Sequence, residues 1–218
     1  MNLLQEPSEL TFRVRSDRVL FVEGTFDVGF FRAVLVANHR RRVQIDRLDG
    51  EGGLRAKLLA RSSAADFETV NWIGVALDAD RDANGQWQSA RDAIEAMTLR
   101  RFDVPTEAWT RSAGSPETGS ATVIVFPGDG QAGRIESFLR EGLRGSLEAP
   151  CVDLYVDCLG EVGALPEAVD KVWVYAFLAS RARPGQTLSA SARAGHLPID
   201  LPGYGAFLSL IPRDDEEL

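Results

Sequence analysis

Apolar and polar positions alternate along this chain in two periods. Arg18 to Glu23 is a continuous apolar run, Val-Leu-Phe-Val, closed by an acid and Gly24; Phe26 to Ala37 then carries apolar residues at helical spacing. Arg42 to Leu48, with Val43 and Ile45, predicts a second strand. Gly50 to Gly53 breaks it before a helix from Leu54 to Ala64. Val70 to Asp78 predicts a third strand, and Trp87 to Leu99 a helix with Ala90, Ile94 and Met97 on one face. Thr110 to Ser120 is rich in Ser, Thr, Gly and Pro and is expected to be loop. Ala121 to Phe126 is a fourth strand and Arg134 to Leu143 its helix.

Strands that alternate with helices predict a parallel sheet. The expected fold class is therefore α/β, a Rossmann-like sheet of about four strands flanked by helices, over residues 1–143. After Gly145 the pattern turns helical: Val152 to Leu159, Pro166 to Arg181 and Tyr204 to Ile211 are predicted helices, with Pro184 to Pro202 mostly loop. Residues 144–213 are thus expected as a helical extension packed on the sheet domain, and 214–218 as a solvated acidic tail. Leu10 to Arg15 alternates and is expected as an edge strand or an extended lead-in.

The third strand carries the candidate chemistry. Asn71 to Asp82 reads Asn-Trp-Ile-Gly-Val-Ala-Leu-Asp-Ala-Asp-Arg-Asp, an apolar run ending in carboxylates. If the extended geometry lasts as far as Asp80, alternation along the strand lets Asp78 and Asp80 point to one side and share a cation. In an open parallel sheet, ligands bind beyond the carboxyl ends of the strands. Glu23 follows the first strand, Asp78 and Asp80 the third and Asp129 the fourth; Asp27 lies one turn into the first helix and Glu136 at the start of the fourth-strand helix. Acids gathered at one edge repel one another unless a cation joins them, and hard oxygen donors without sulfur or imidazole favour Mg²⁺ or Mn²⁺. Asp80, Asp82, Asn84 and Gly85 match the start of a calcium-binding EF-hand loop, but Arg91 stands where its bidentate Glu is required, so that reading is rejected.

Composition narrows the partners. The formal charge is −8, so nucleic acid must be held by bound metal or a local basic surface. Arg40, Arg41, Arg42 and Arg47 form the densest such cluster. Lys57 and Lys171 are the only lysines. Cys151 and Cys158 lack zinc-ligand spacing and are expected to be reduced and buried; His39 and His196 are isolated. With no signal-like start and no apolar run of membrane-spanning length, the chain is expected to be soluble and cytoplasmic.

Val19-Leu20-Phe21-Val22-Glu23-Gly24 with Asp27, followed by Val75-Ala76-Leu77-Asp78-Ala79-Asp80, resembles the paired motifs of the TOPRIM domain, over about Arg18 to Leu143. That domain is shared by topoisomerases, bacterial primases, recombination mediators, a ribosomal-RNA maturase and the OLD (overcoming lysogenization defect) nucleases. Gly133-Arg134-Ile135-Glu136-Ser137-Phe138-Leu139 adds a likeness to the OLD nucleases and to small standalone TOPRIM proteins. The resemblance implies two divalent metals on Glu23, Asp27, Asp78, Asp80 and Glu136 and cleavage assisted by a lysine that Lys171 looks like; catalytically, Glu23 is expected to share a metal or act as general base toward the attacking water.

The chain departs from those larger proteins: it has no Gly-x-x-x-x-Gly-Lys-Ser/Thr ATPase motif, no tyrosine-bearing cleavage domain and no zinc-ligand cysteines. A standalone TOPRIM protein is what remains. The expected function is metal-dependent hydrolysis of DNA. The alternatives are a structured-RNA nuclease, a catalytically weak subunit that partners an ATPase in nucleic-acid processing or phage defence, and a small-molecule phosphatase. The expected partners are DNA ahead of RNA, an ATPase protein and a second copy in a homodimer.

Overall fold

A computed structural model describes residues 13–48, 53–98, 100–115, 117–181, 187–197 and 203–217. Four strands form the body of one sheet: β1 (Arg18–Val22), β2 (Gln44–Arg47), β3 (Trp72–Asp78) and β6 (Gly119–Phe126). They lie parallel in the order β2-β1-β3-β6. The sheet has six strands rather than about four, because β4 (Phe102–Asp103) pairs parallel to β6 and β5 (Thr110–Arg111) pairs antiparallel to it. β5 falls within the stretch expected to be loop. Two residues are too few to show a period of two in sequence.

The pleat sorts each strand onto two cores. Leu20 and Val22 of β1, Trp72 and Ala76 of β3, and Ile124 and Phe126 of β6 face one side; Val19, Phe21, Ile73, Val75, Val123 and Val125 face the other. Helices α2 (Leu54–Ser62) and α3 (Ala83–Glu95) cover the second side. The first is covered by α1 (Thr25–Ala37), α4 (Ile135–Leu143), α5 (Ala149–Glu161), α6 (Val169–Ala179), α7 (Leu188–Arg193) and α8 (Tyr204–Ser209). The helices of 144–213 therefore share one continuous core with α1 and α4. This is an α/β architecture with a mostly parallel sheet between helical layers, compatible with a Rossmann-like fold.

Gly74 sits inside β3 because the Trp72 ring lies across it; a Cβ there would fall 2.5 Å from the ring and 2.7 Å from Leu20. The Trp72 indole N–H donates to Thr122 Oγ1 at 3.2 Å, and Thr122 donates onward to the Leu210 carbonyl at 3.1 Å, tying α8 to the sheet.

Several expectations change. Pro184 to Pro202 contains α7, whose six residues pack on α1 where Gly29 leaves room. Helix α3 starts at Ala83, since Asp82 caps it by accepting the Gly85 N–H at 2.9 Å. The acidic tail is docked: buried Arg18 donates to the carbonyls of Arg213 and Glu216, Glu216 pairs with Arg111, and Asp214 accepts the N–H groups of Arg41 and Arg42. Cys151 and Cys158 are exposed, on the outer face of α5. Of the Leu10 to Arg15 segment, residues 10–12 lie outside the described residues and 13–15 form no strand. No helix among the described residues is long and apolar enough to cross a membrane.

Candidate metal centre at the carboxyl edge of the sheet

The strand order reverses between β1 and β3: the chain moves outward from β1 to β2, then returns to the other side of β1. Such a switch point leaves a crevice at the carboxyl ends of the two strands. Glu23 is the residue after β1, and Asp78 the last of β3.

Backbone groups aim these acids. Gly24 is extended, with φ −124°, so it is not needed for a left-handed turn; its contribution is space, since a Cβ would lie 3.3 Å from Asp27 Oδ2. The Gly24 N–H donates to that oxygen at 2.8 Å, so Asp27 also closes the first turn of α1. Asp78 Oδ1 accepts the Ile135 N–H at the start of α4 at 2.9 Å. Asp80 has φ 49°, and its backbone exchanges hydrogen bonds with Gly133 at 2.8 and 2.9 Å. That bridge clasps the loop after β3 to the loop before α4. Arg134 Nε then reaches Asp80 Oδ1 at 2.7 Å.

Burial and crowding shape the charge state. The Glu23 carboxyl is pushed up to about 7, first by burial and then by Asp27 and Asp80, against a backbone hydrogen bond from Asp78. Asp78 is also pushed up to about 7, by burial and then by Glu23, Asp27 and Glu136, with the Ile135 N–H working the other way. Asp27 is raised by burial and by Glu136, while the Gly24 N–H and Lys171 pull it down. All five predicted carboxylates and Lys171 thus belong to one electrostatic neighbourhood. Lys171 arrives there because α6 docks on α4: Asp170 accepts from Ser137 at 2.5 Å and from Arg140 at 2.8 Å.

The family model described as a protein of unknown function, DUF3226, matches residues 17–210. The chain belongs to the DUF3226 family. No curated protein and no solved structure matches it. The matched span includes every candidate residue from Glu23 to Lys171, whereas the docked tail from Asp214 lies beyond it.

Two of this family member's expected features lie elsewhere. Asp129 lines a neighbouring cleft of about 810 Å³ with Trp109, Phe138, Arg140 and Asp170. The arginine cluster is split across the molecule. Arg40 is buried and donates to the carbonyls of Ile211, Asn38 and Leu208, so its guanidinium is committed to structure. Arg41 and Arg42 precede β2, and in a parallel sheet residues before a strand lie at the opposite edge from residues after one, roughly 15–20 Å away. Arg42 moreover pairs with Asp17 at 3.1 Å. Only Arg47, at the end of β2 opposite Val22 and donating to Thr25 Oγ1, stands on the carboxylate edge.

Arg134 and Tyr175 join the site without a local sequence signal. Arg134 interacts with Asp80, Asp78 and Glu136. Tyr175, one helical turn beyond Lys171, is raised by burial and by Glu136. Arg134 immediately precedes α4 and Tyr175 lies within α6, positions that acquire meaning only once those helices meet at the edge.

The donor set suits a hard divalent cation: oxygen-only and mutually repelling, half-buried except for the exposed Asp80. Among the described residues no three His, Cys, Asp or Glu side chains already stand as a metal-holding group. Asp27, Asp78 and Asp80 are instead turned toward Gly24, Ile135 and Arg134, the neutralising partners available to them.

Proposed function

We propose that this protein is a metal-dependent nuclease of the TOPRIM type that hydrolyses DNA phosphodiester bonds. The observation that carries the reading is the convergence of Glu23, Asp27, Asp78, Asp80 and Glu136 at the β1/β3 switch point, with two carboxyls pushed up to about 7. The motif resemblance to TOPRIM and OLD nucleases supports it.

Glu23, Asp78 and Asp80 would hold one Mg²⁺ or Mn²⁺, and Asp27 with Glu136 a second. When bound, such ions polarise a phosphoryl oxygen and lower the pKa of water. Glu23 would accept the proton of the attacking water at a carboxylate oxygen that the metal leaves free. Lys171 neutralises charge on the phosphate. Arg134 leaves Asp80 and joins Lys171, exchanging one anionic partner for another. Arg47 meets the flanking backbone.

The test is cleavage of supercoiled plasmid with Mg²⁺ or Mn²⁺ by the wild type, Glu23→Ala and Asp78→Ala, all folded by circular dichroism. The expected loss is about 100-fold or more in each variant. Absence of cutting by the wild type, or equal cutting by the variants, overturns the proposal.

A further inference from the structure

Helix α5 is apolar on two sides, and the described residues cover only one. Ala149, Val152 and Val156 face the core. Leu147, just before the helix, Cys151, Leu154, Tyr155, Cys158 and Val162, just after it, gather by helical spacing into a stripe about 100° wide on another side. Leu147 is 95% exposed, Leu154 70%, Tyr155 52% and Val162 68%. Of the large apolar side chains exposed among the described residues, only Val36 lies outside this stripe. A helix apolar nearly all round is ordinarily enclosed, and a contiguous apolar strip, unlike a scattered leucine, marks a contact surface.

The border of the strip identifies its occupant. Residues 147–162 include Glu148, Asp153, Asp157 and Glu161 and no Lys, Arg or His. Arg181 engages Glu148 at 2.7 Å, and the Trp173 indole engages Asp153 at 2.7 Å. Asp157 and Glu161, four residues apart along one border, draw no ion pair from the described residues. Packing α5 against α5 of a second copy would bring acidic border against acidic border, which is disfavoured; a basic border would be attracted.

We propose that the outer face of α5 docks an amphipathic helix of another protein, one whose apolar stripe is bordered by lysine or arginine. The inference is independent of the nuclease reading. It is tested on the full chain under reducing conditions by fluorescence anisotropy with synthetic helical peptides about 18 residues long. One carries a leucine stripe with Lys and Arg borders, one the same stripe with Glu borders, and one is a scrambled version of the first.

Binding of the basic patterned peptide alone is expected. Leu154→Ser with Val162→Ser should weaken it about tenfold or more, and Asp157→Asn with Glu161→Gln about threefold at low salt. Unchanged melting temperatures establish that these variants are folded. Equal binding of the scrambled or Glu-bordered peptide, no binding of the basic one, or indifference to the Leu154 and Val162 changes overturns the proposal. So does wild-type self-association in sedimentation that those changes abolish, since the face would then belong to a second copy.

Discussion

Glu23 and Asp78 carry opposing demands within a single side chain. Burial and neighbouring acids favour the neutral form, while backbone N–H groups favour the anion, and the balance places each at about 7. Their ordinary values are 4.5 and 3.8, so folding raises both. The folded state then binds more protons than the unfolded chain between those values and about 7. Stability from these groups is full below the ordinary values and lost as pH rises through about 7.

The denaturation midpoint of the metal-free protein should therefore fall between roughly pH 5 and 8, and Asp78→Asn should flatten that fall. Added Mn²⁺ should raise the midpoint more at about pH 8 than at about pH 5.5, because cation and proton compete for the same oxygens. A midpoint that rises with pH in the metal-free protein, with Asp78→Asn matching the wild type, would contradict this account. The strand-end acids were readable in sequence because an apolar run that stops in carboxylate has to deliver it to an edge. Arg134's partner Asp80 lies 54 residues away, so no local pattern exposed that pair.

At the scale of elements, the main strands and long helices follow from contiguous periodicity, but their contacts depend on small residues. Gly29 on α1 is the sharpest case: a Cβ there would come within 1.7 Å of Ser189 Oγ and 2.4 Å of Ser189 Cβ on α7. Gly29→Ala must push the helices apart and should cost about 1–3 kcal/mol in urea denaturation. Ser189→Gly in the same chain should recover part of the loss, a coupling that a double-mutant cycle measures. Additivity of the two changes would mean that α1 and α7 do not meet there. Helix α7 has only six residues, too few for its own periodicity to announce or stabilise it, and its packing on α1 supplies the stability.

At the scale of the whole molecule, the parallel sheet separates two poles. Acids at the carboxyl edge surround the candidate metal site. At the amino edge, Arg18 and Arg40 hold the end of the chain through carbonyls of Leu208, Ile211, Arg213 and Glu216. Removing residues 213–218 would leave the enclosed Arg18 guanidinium without those acceptors and should destabilise the fold by roughly 2–3 kcal/mol, measured by chemical denaturation. An unchanged midpoint would show that the tail is a passive surface strand of chain.

The amino-acid sequence by itself determined the α/β alternation, the four principal strands and the acids that end β1 and β3, because these are properties of neighbouring residues along one strand or helix. Only the tertiary structure decided that Arg40, Arg41 and Arg42 lie at the pole away from those acids, that the acidic tail is docked, and that Cys151 and Cys158 are exposed. Each depends on which edge or face a segment meets after strand pairing and helix docking, and charge or polarity in the linear chain does not encode that neighbour.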